Sequence, residues 1–194
     1  MNSIRFIIIV VLLVILIFLL GFRKGTLKYV MSDIDDEYYL VRDLEDKQKA
    51  ANMLARLKKN IHNLRNHLVQ NISSYPEMAD YIRQLDRKLK YTEYHESEED
   101  SVYTSYSVNK GEQIVFCLRS KENRDKLHKL NLVMYVTLHE MAHVACPEYG
   151  HTPLFKKIFA FLTQVAIDEG LYKKIPFDDN PKEYCGLTIS DSII

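Results

Sequence analysis

The chain has no excess of either charge: 26 Lys and Arg balance 26 Asp and Glu. That removes the simplest case for nucleic-acid binding, because no surplus of cations stands ready to neutralise phosphates. Cysteine is scarce too. Cys117, Cys146 and Cys185 are too few and too scattered for a disulfide framework and fit a reducing compartment, with Cys117 read as a core residue of a strand. No small-x-small cleavage signal precedes Arg23, which argues against a removed secretory leader. Glycine and proline are missing from 35–70 and from 130–138, and such uninterrupted stretches favour helices.

What is present begins with an apolar run. From Phe6 to Phe22 every residue is apolar or Gly, and Ile4 extends the run across Arg5, enough for one short bilayer-crossing helix. Residues 4–22 therefore read as an uncleaved anchor, with the lipid bilayer as a partner. Arg23, Lys24 and Lys28 follow the span while Arg5 and the amino terminus precede it. By the positive-inside rule this places the C-terminal portion of a single-pass protein in the cytosol, at a virion or host membrane if the chain is viral.

Residues 33–90 read as a helical region. Leu54, Leu57, Ile61, Leu64 and Leu68 alternate spacings of three and four, which suits either a homodimer seam or packing against the rest of the chain. Arg56, Lys58, Lys59, His62, Arg65 and His67 form a basic patch that serves as a solvated face or a contact for anionic lipid. Pro76 starts a further helix to about Lys90. Residues 91–101, with Glu93, Glu96, Glu98, Glu99 and Asp100, read as a solvated acidic loop. Val102 to Val108 and Ile114 to Leu118 are strand-like, and Asn109-Lys110-Gly111 between them is hairpin turn chemistry. Glu183 to Ser190 reads as a short final strand.

The chemistry concentrates in Thr137-Leu138-His139-Glu140-Met141-Ala142-His143, which contains His-Glu-x-x-His. On a helix, His139 and His143 stand one turn apart on one face and make half of a tetrahedral zinc site. Glu140 is rotated off that line, placed to take a proton from a water that the metal polarises. Pro147 and Gly150 end the helix near Ala145, and Thr152-Pro153 is an N-cap and first-turn pair for the next one, along which Phe155, Ile158, Phe159, Leu162 and Val165 recur. His151 would sit in the intervening turn, free to swing back as third ligand. Its rivals are Cys146, Glu148, Asp168 and Glu169. Tyr149 or Tyr184 could stabilise the oxyanion of a tetrahedral intermediate.

The run from Asn131 to Phe155, read as helix, HExxH, short turn, Gly-His and a following Phe, resembles the WLM and SprT-like zincin-type metallopeptidases. The resemblance covers the C-terminal half. It implies zinc ligands His139, His143 and His151, Glu140 as catalytic base, and an extended peptide substrate added to the edge of a small sheet. The expected fold is α+β: a minimal zincin-like domain over 102–194, its motif helix packed on a small sheet, preceded by the anchor at 4–22, the helical region and the acidic loop. The expected function is a membrane-anchored zinc-dependent peptidase. Two alternatives stand beside it: a non-enzymatic membrane-tethered interaction protein with a structural or absent zinc site, and another HExxH zinc hydrolase.

Overall fold

Leu27–Met31 (β1) and Tyr38–Arg42 (β2) pair antiparallel, with Leu27 opposite Arg42 and Met31 opposite Tyr38. Both are rich in Tyr, Val and Leu, residues that suit a pleated, half-buried surface. Tyr39 and Val41 turn inward and are buried, while Tyr38 between strand and turn is exposed. The structure, a computed structural model, describes Phe6, 10–12, 27–122 and 126–194.

Helix α1 (Lys47–Gln70) follows and buries Leu54, Leu57, Ile61, Leu64 and Leu68. This stripe packs inside the chain, against β1 and β2 and against the two helices and the strand that follow. Single 3-10 turns at Ile72–Ser74 and Pro76–Met78 lead into α2 (Ala79–Leu89). Strand β3 (Glu93–Glu96) then enters the middle of the sheet, parallel to β2 on one side and to β5 (Gln113–Phe116) on the other. Strand β4 (Tyr106–Val108) pairs antiparallel with β5 and forms one edge, giving the order β1-β2-β3-β5-β4. Helix α3 (Leu130–Ala145) is enclosed by α1, α2, α4 (Pro153–Asp168) and β4. Of its 16 residues 12 are buried, which accounts for a sequence that is apolar on nearly every side. A two-stranded hairpin, β6 (Lys182–Tyr184) and β7 (Leu187–Ile189), closes the chain, turning through Cys185 and Gly186 at positive φ.

The α+β expectation of a motif helix on a small sheet, set behind an anchor and a separate helical region, is corrected. The architecture is mixed α/β, and three of its five sheet strands precede residue 102. The β2 segment lies within the stretch expected to be helical, and β3 lies within the acidic stretch expected to be a loop. The reason in β3 is a buried charge. Glu96 is 1% exposed at the end of a core strand because it accepts hydrogen bonds from the Arg42 backbone N–H at 2.7 Å and from Arg119 Nε at 2.8 Å. Arg119 in turn reaches Asp46 at 2.6 Å, so the acid looks like loop composition and behaves as a paired core residue.

The membrane placement is corrected as well. Among the described residues no helix is long and apolar enough to cross a membrane. A span needs roughly 20 consecutive apolar residues, and α1, the longest described helix at 24 residues, carries Lys and Arg throughout. Apart from Phe6 and 10–12, the 4–22 run lies outside the described residues. The single-pass placement with a cytosolic C-terminal domain is thus without a spanning helix among the described residues. The cysteine expectation also changes: Cys117 and Cys185 are joined in a disulfide that ties the β6–β7 turn to the end of β5, and Cys146 stays free and buried.

Candidate metal centre

Helix α3 presents His139 and His143 one turn apart, as the spacing predicts. It ends at Ala145, where Cys146 turns extended ahead of Pro147. Helix α4 begins where Thr152, in extended conformation, accepts a hydrogen bond from the Phe155 backbone N–H at 3.2 Å, with Pro153 in the first turn. The turn between them brings His151 back over α3. The three Nε2 atoms form a triangle with edges of 3.1 Å (His139–His143), 3.1 Å (His139–His151) and 3.2 Å (His143–His151). Phe155 is the floor beneath all three rings, its centroid 4.2 Å from that of His143, 4.9 Å from His151 and 5.0 Å from His139.

Hydrogen bonding alone does not account for this triangle. A neutral imidazole nitrogen is either donor or acceptor, so three such atoms facing one another leave at least one pair of like character. A shared cation removes the conflict. Among the described residues His139, His143 and His151 are the one group of three or more side chains that could hold a metal ion. Cys146 is buried and does not belong to that group, and Glu169, past the end of α4, pairs with His67 at 3.1 Å. Glu148 lines the cleft without joining the triangle.

Burial holds His139 neutral, lowering its pKa to about 3 with help from the neighbouring His143 and His151. Burial, then the charges of His151 and Lys110, lower His143 to about 4. Both are therefore in the unprotonated form that a metal requires. Glu140 is 4% exposed, and burial lifts its carboxyl to about 7, opposed by a hydrogen bond from the Ser107 backbone.

The cluster opens into a cleft of about 990 Å³, walled by α3, by residues 104–107 around the sheet-edge strand β4 and by the β6–β7 hairpin. Tyr184 and Tyr149 both line it but differ in support. Tyr184 is 2% exposed, with its hydroxyl 2.6 Å from Ser105 Oγ. Tyr149 is 85% exposed, its ring lying under the Lys110 ammonium. Ser105 and Lys110 are residues that sequence reasoning passed over. Lys110 was visible only as part of a hairpin turn, and Ser105 only as part of a strand-like run.

The fold and the cluster together define a class: a mixed α/β chain with an HExxH helix and a third histidine brought in beyond a short turn. The family follows from sequence. The chain is 44% identical over 189 residues to Uncharacterized protein R325 of Acanthamoeba polyphaga mimivirus, covering 97% of this chain and 95% of that protein, and it belongs to the same family. Shorter likenesses connect it to two proteins of invertebrate iridescent viruses. Uncharacterized protein 136R of virus 6 is 42% identical over 83 residues (42% of this chain, 44% of that protein). Uncharacterized protein 042R of virus 3 is 44% identical over 87 residues (43% of this chain, 50% of that protein). No protein-family model matches. Among solved structures, Wss1 from Saccharomyces cerevisiae aligns with a TM-score of 0.49 at 19% identity, covering 67% of this chain and 89% of that one; a Wss1 mutant gives the same score. At that level of likeness the site has to stand on its own residues.

Proposed function

We propose that this chain is a zinc-dependent peptidase. The observation that carries the reading is the His139–His143–His151 triangle beside a buried glutamate. Four nitrogen ligands at about 2.0–2.1 Å from zinc in a tetrahedron stand roughly 3.3–3.4 Å apart. The observed edges of 3.1–3.2 Å fit one face of such a tetrahedron, and all three histidines line the cleft. When bound, zinc supplies a Lewis acid that polarises a carbonyl and makes water more acidic.

The chain's own residues supply the rest. Glu140, with a carboxyl pKa lifted to about 7, is suited both to accept a proton from the attacking water and to return it to the departing amine. Among the described residues strand β4 is an edge of the sheet, and it offers the cleft a line along which an extended peptide can pair. Ser105 Oγ accepts the Cys117 backbone N–H at 3.1 Å and shares a 2.6 Å hydrogen bond with the Tyr184 hydroxyl, in which either oxygen can donate and Ser105 can give its proton to Tyr184. With Ser105 donating, the phenol proton of Tyr184 is available to a developing oxyanion. The exposed ring of Tyr149 has no comparable support, which favours Tyr184 of the two. The similarity of the Gly150-His151 to Phe155 run to the WLM and SprT-like pattern supports the same reading.

Glu140→Gln tests it. Hydrolysis of an unfolded protein substrate should fall about 10²–10⁴-fold, while zinc content stays at the parent level. Undiminished hydrolysis in the variant would overturn the assignment of Glu140, and a parent that cleaves nothing when zinc-loaded would overturn the peptidase reading.

A further inference from the structure

The third histidine stands on a segment with little support of its own. Residues 147–151 are exposed and belong to no helix or strand. Their fixed point comes from elsewhere in the chain. Lys110 Nζ donates to three successive backbone carbonyls, those of Cys146 at 2.8 Å, Pro147 at 2.8 Å and Glu148 at 3.1 Å. An ammonium has three protons, and these three acceptors take them all. The same atom sits 4.3 Å from the centroid of the Tyr149 ring, so every residue from 146 to 149 touches it.

The β4–β5 hairpin is shaped to deliver this lysine. Asn109 and Lys110 both lie at positive φ, 47° and 52°, and the Gly111 N–H bonds to Val108 O at 3.0 Å, making a type I′ turn. Positive φ is uncommon for a residue with a long side chain, and Lys110 keeps it where its tip is tied down. Gly111 lets the hairpin press against the end of α3: a Cβ there would lie 3.0 Å from Val144 Cγ1.

We propose that Lys110 is a positioning residue for the metal centre, gathering the carbonyls of residues 146–148 so that His151 is already in place against His139 and His143 when the ion arrives. The inference rests on the metal-binding reading above and adds to it the device that makes a loop-borne ligand effective. Without those three bonds the turn must be ordered at the moment of binding, and affinity falls by the cost of that ordering.

The test is zinc affinity of the whole chain, measured by competition with a chromophoric chelator, for the parent, Lys110→Met, Lys110→Arg, His151→Ala and the Lys110→Met/His151→Ala double variant. Lys110→Met should weaken zinc binding about 10–100-fold, the range typical of residues that orient metal ligands. Lys110→Arg, which keeps the charge and several donors, should recover part of the loss. In the His151→Ala background Lys110→Met should cost less than about 2-fold, because a lysine that acts through His151 has nothing left to position. Amide exchange across 148–151 in the metal-free chain should quicken in Lys110→Met. Parent affinity in Lys110→Met overturns the proposal alone, as does an equal loss with and without His151, which would mark a general structural role. A folded parent that takes up no zinc overturns the metal reading and this proposal with it.

Discussion

Two of the three histidines stand on a helix packed against three others and a strand, and the third stands on an exposed turn; the two supports are physically different. His139 and His143 inherit their geometry from α3, whose burial among α1, α2, α4 and β4 leaves the backbone no alternative path. His151 inherits its place from a lysine on a distant hairpin, from the Thr152 cap and from Phe155 beneath it. The histidine cluster is thus held at one end through packing and at the other through polar contacts on the surface. Changes at the two ends should therefore have costs of different size and kind.

Truncation of the core should have the largest effect. Leu138, adjacent to the first histidine and fully buried, should cost about 2–5 kcal/mol of stability when changed to Ala. Thr152→Ala, which removes the N-cap next to His151, should cost about 1 kcal/mol. Denaturant melts of the two variants check the pair. A Thr152 variant as damaged as the Leu138 one would mean that the turn and the helix share one support.

Acid acts on the metal-free chain differently, with little effect near neutral pH and a growing one below it. His139 and His143 hold pKa values of about 3 and about 4, against 6.5 for an unperturbed histidine. Between those values the unfolded chain binds more protons than the folded one, so the contribution of these residues is complete above about 6.5 and is lost as pH falls towards 4 and 3. Melts of the metal-free chain from pH 7.5 to 4.5 should show this decline, and it should shrink in His139→Gln. A slope unchanged by that substitution would place the acid sensitivity elsewhere.

The same contrast explains what could be read from the sequence. The motif helix, its end before Pro147 and the restart at Thr152-Pro153 are written locally, in an apolar run and its punctuation. Their observed bounds, Leu130–Ala145 and Pro153–Asp168, follow that pattern. What could not be read depends on distant partners. Strand β3 looked like an acidic loop because Glu96 finds Arg119 only in the folded chain, 23 residues on. Strand β2 was hidden in a stretch without Gly or Pro, where five residues of alternation are a weak signal. Cys117 meets Cys185 across 68 residues, and Lys110 meets the carbonyl of Cys146 across 36, so neither contact leaves a mark on local spacing. The 4–22 run pointed to a membrane helix by composition alone, and none of the described helices has that character.

The most direct test of the account is the zinc content of the chain, purified without chelator or added histidines and resupplied with the metal, beside His139→Ala and His151→Ala. One zinc per chain is expected in the parent, none retained in His139→Ala, and markedly weakened binding in His151→Ala. A folded parent without zinc, or a His151→Ala variant that binds it as tightly as the parent, would contradict it.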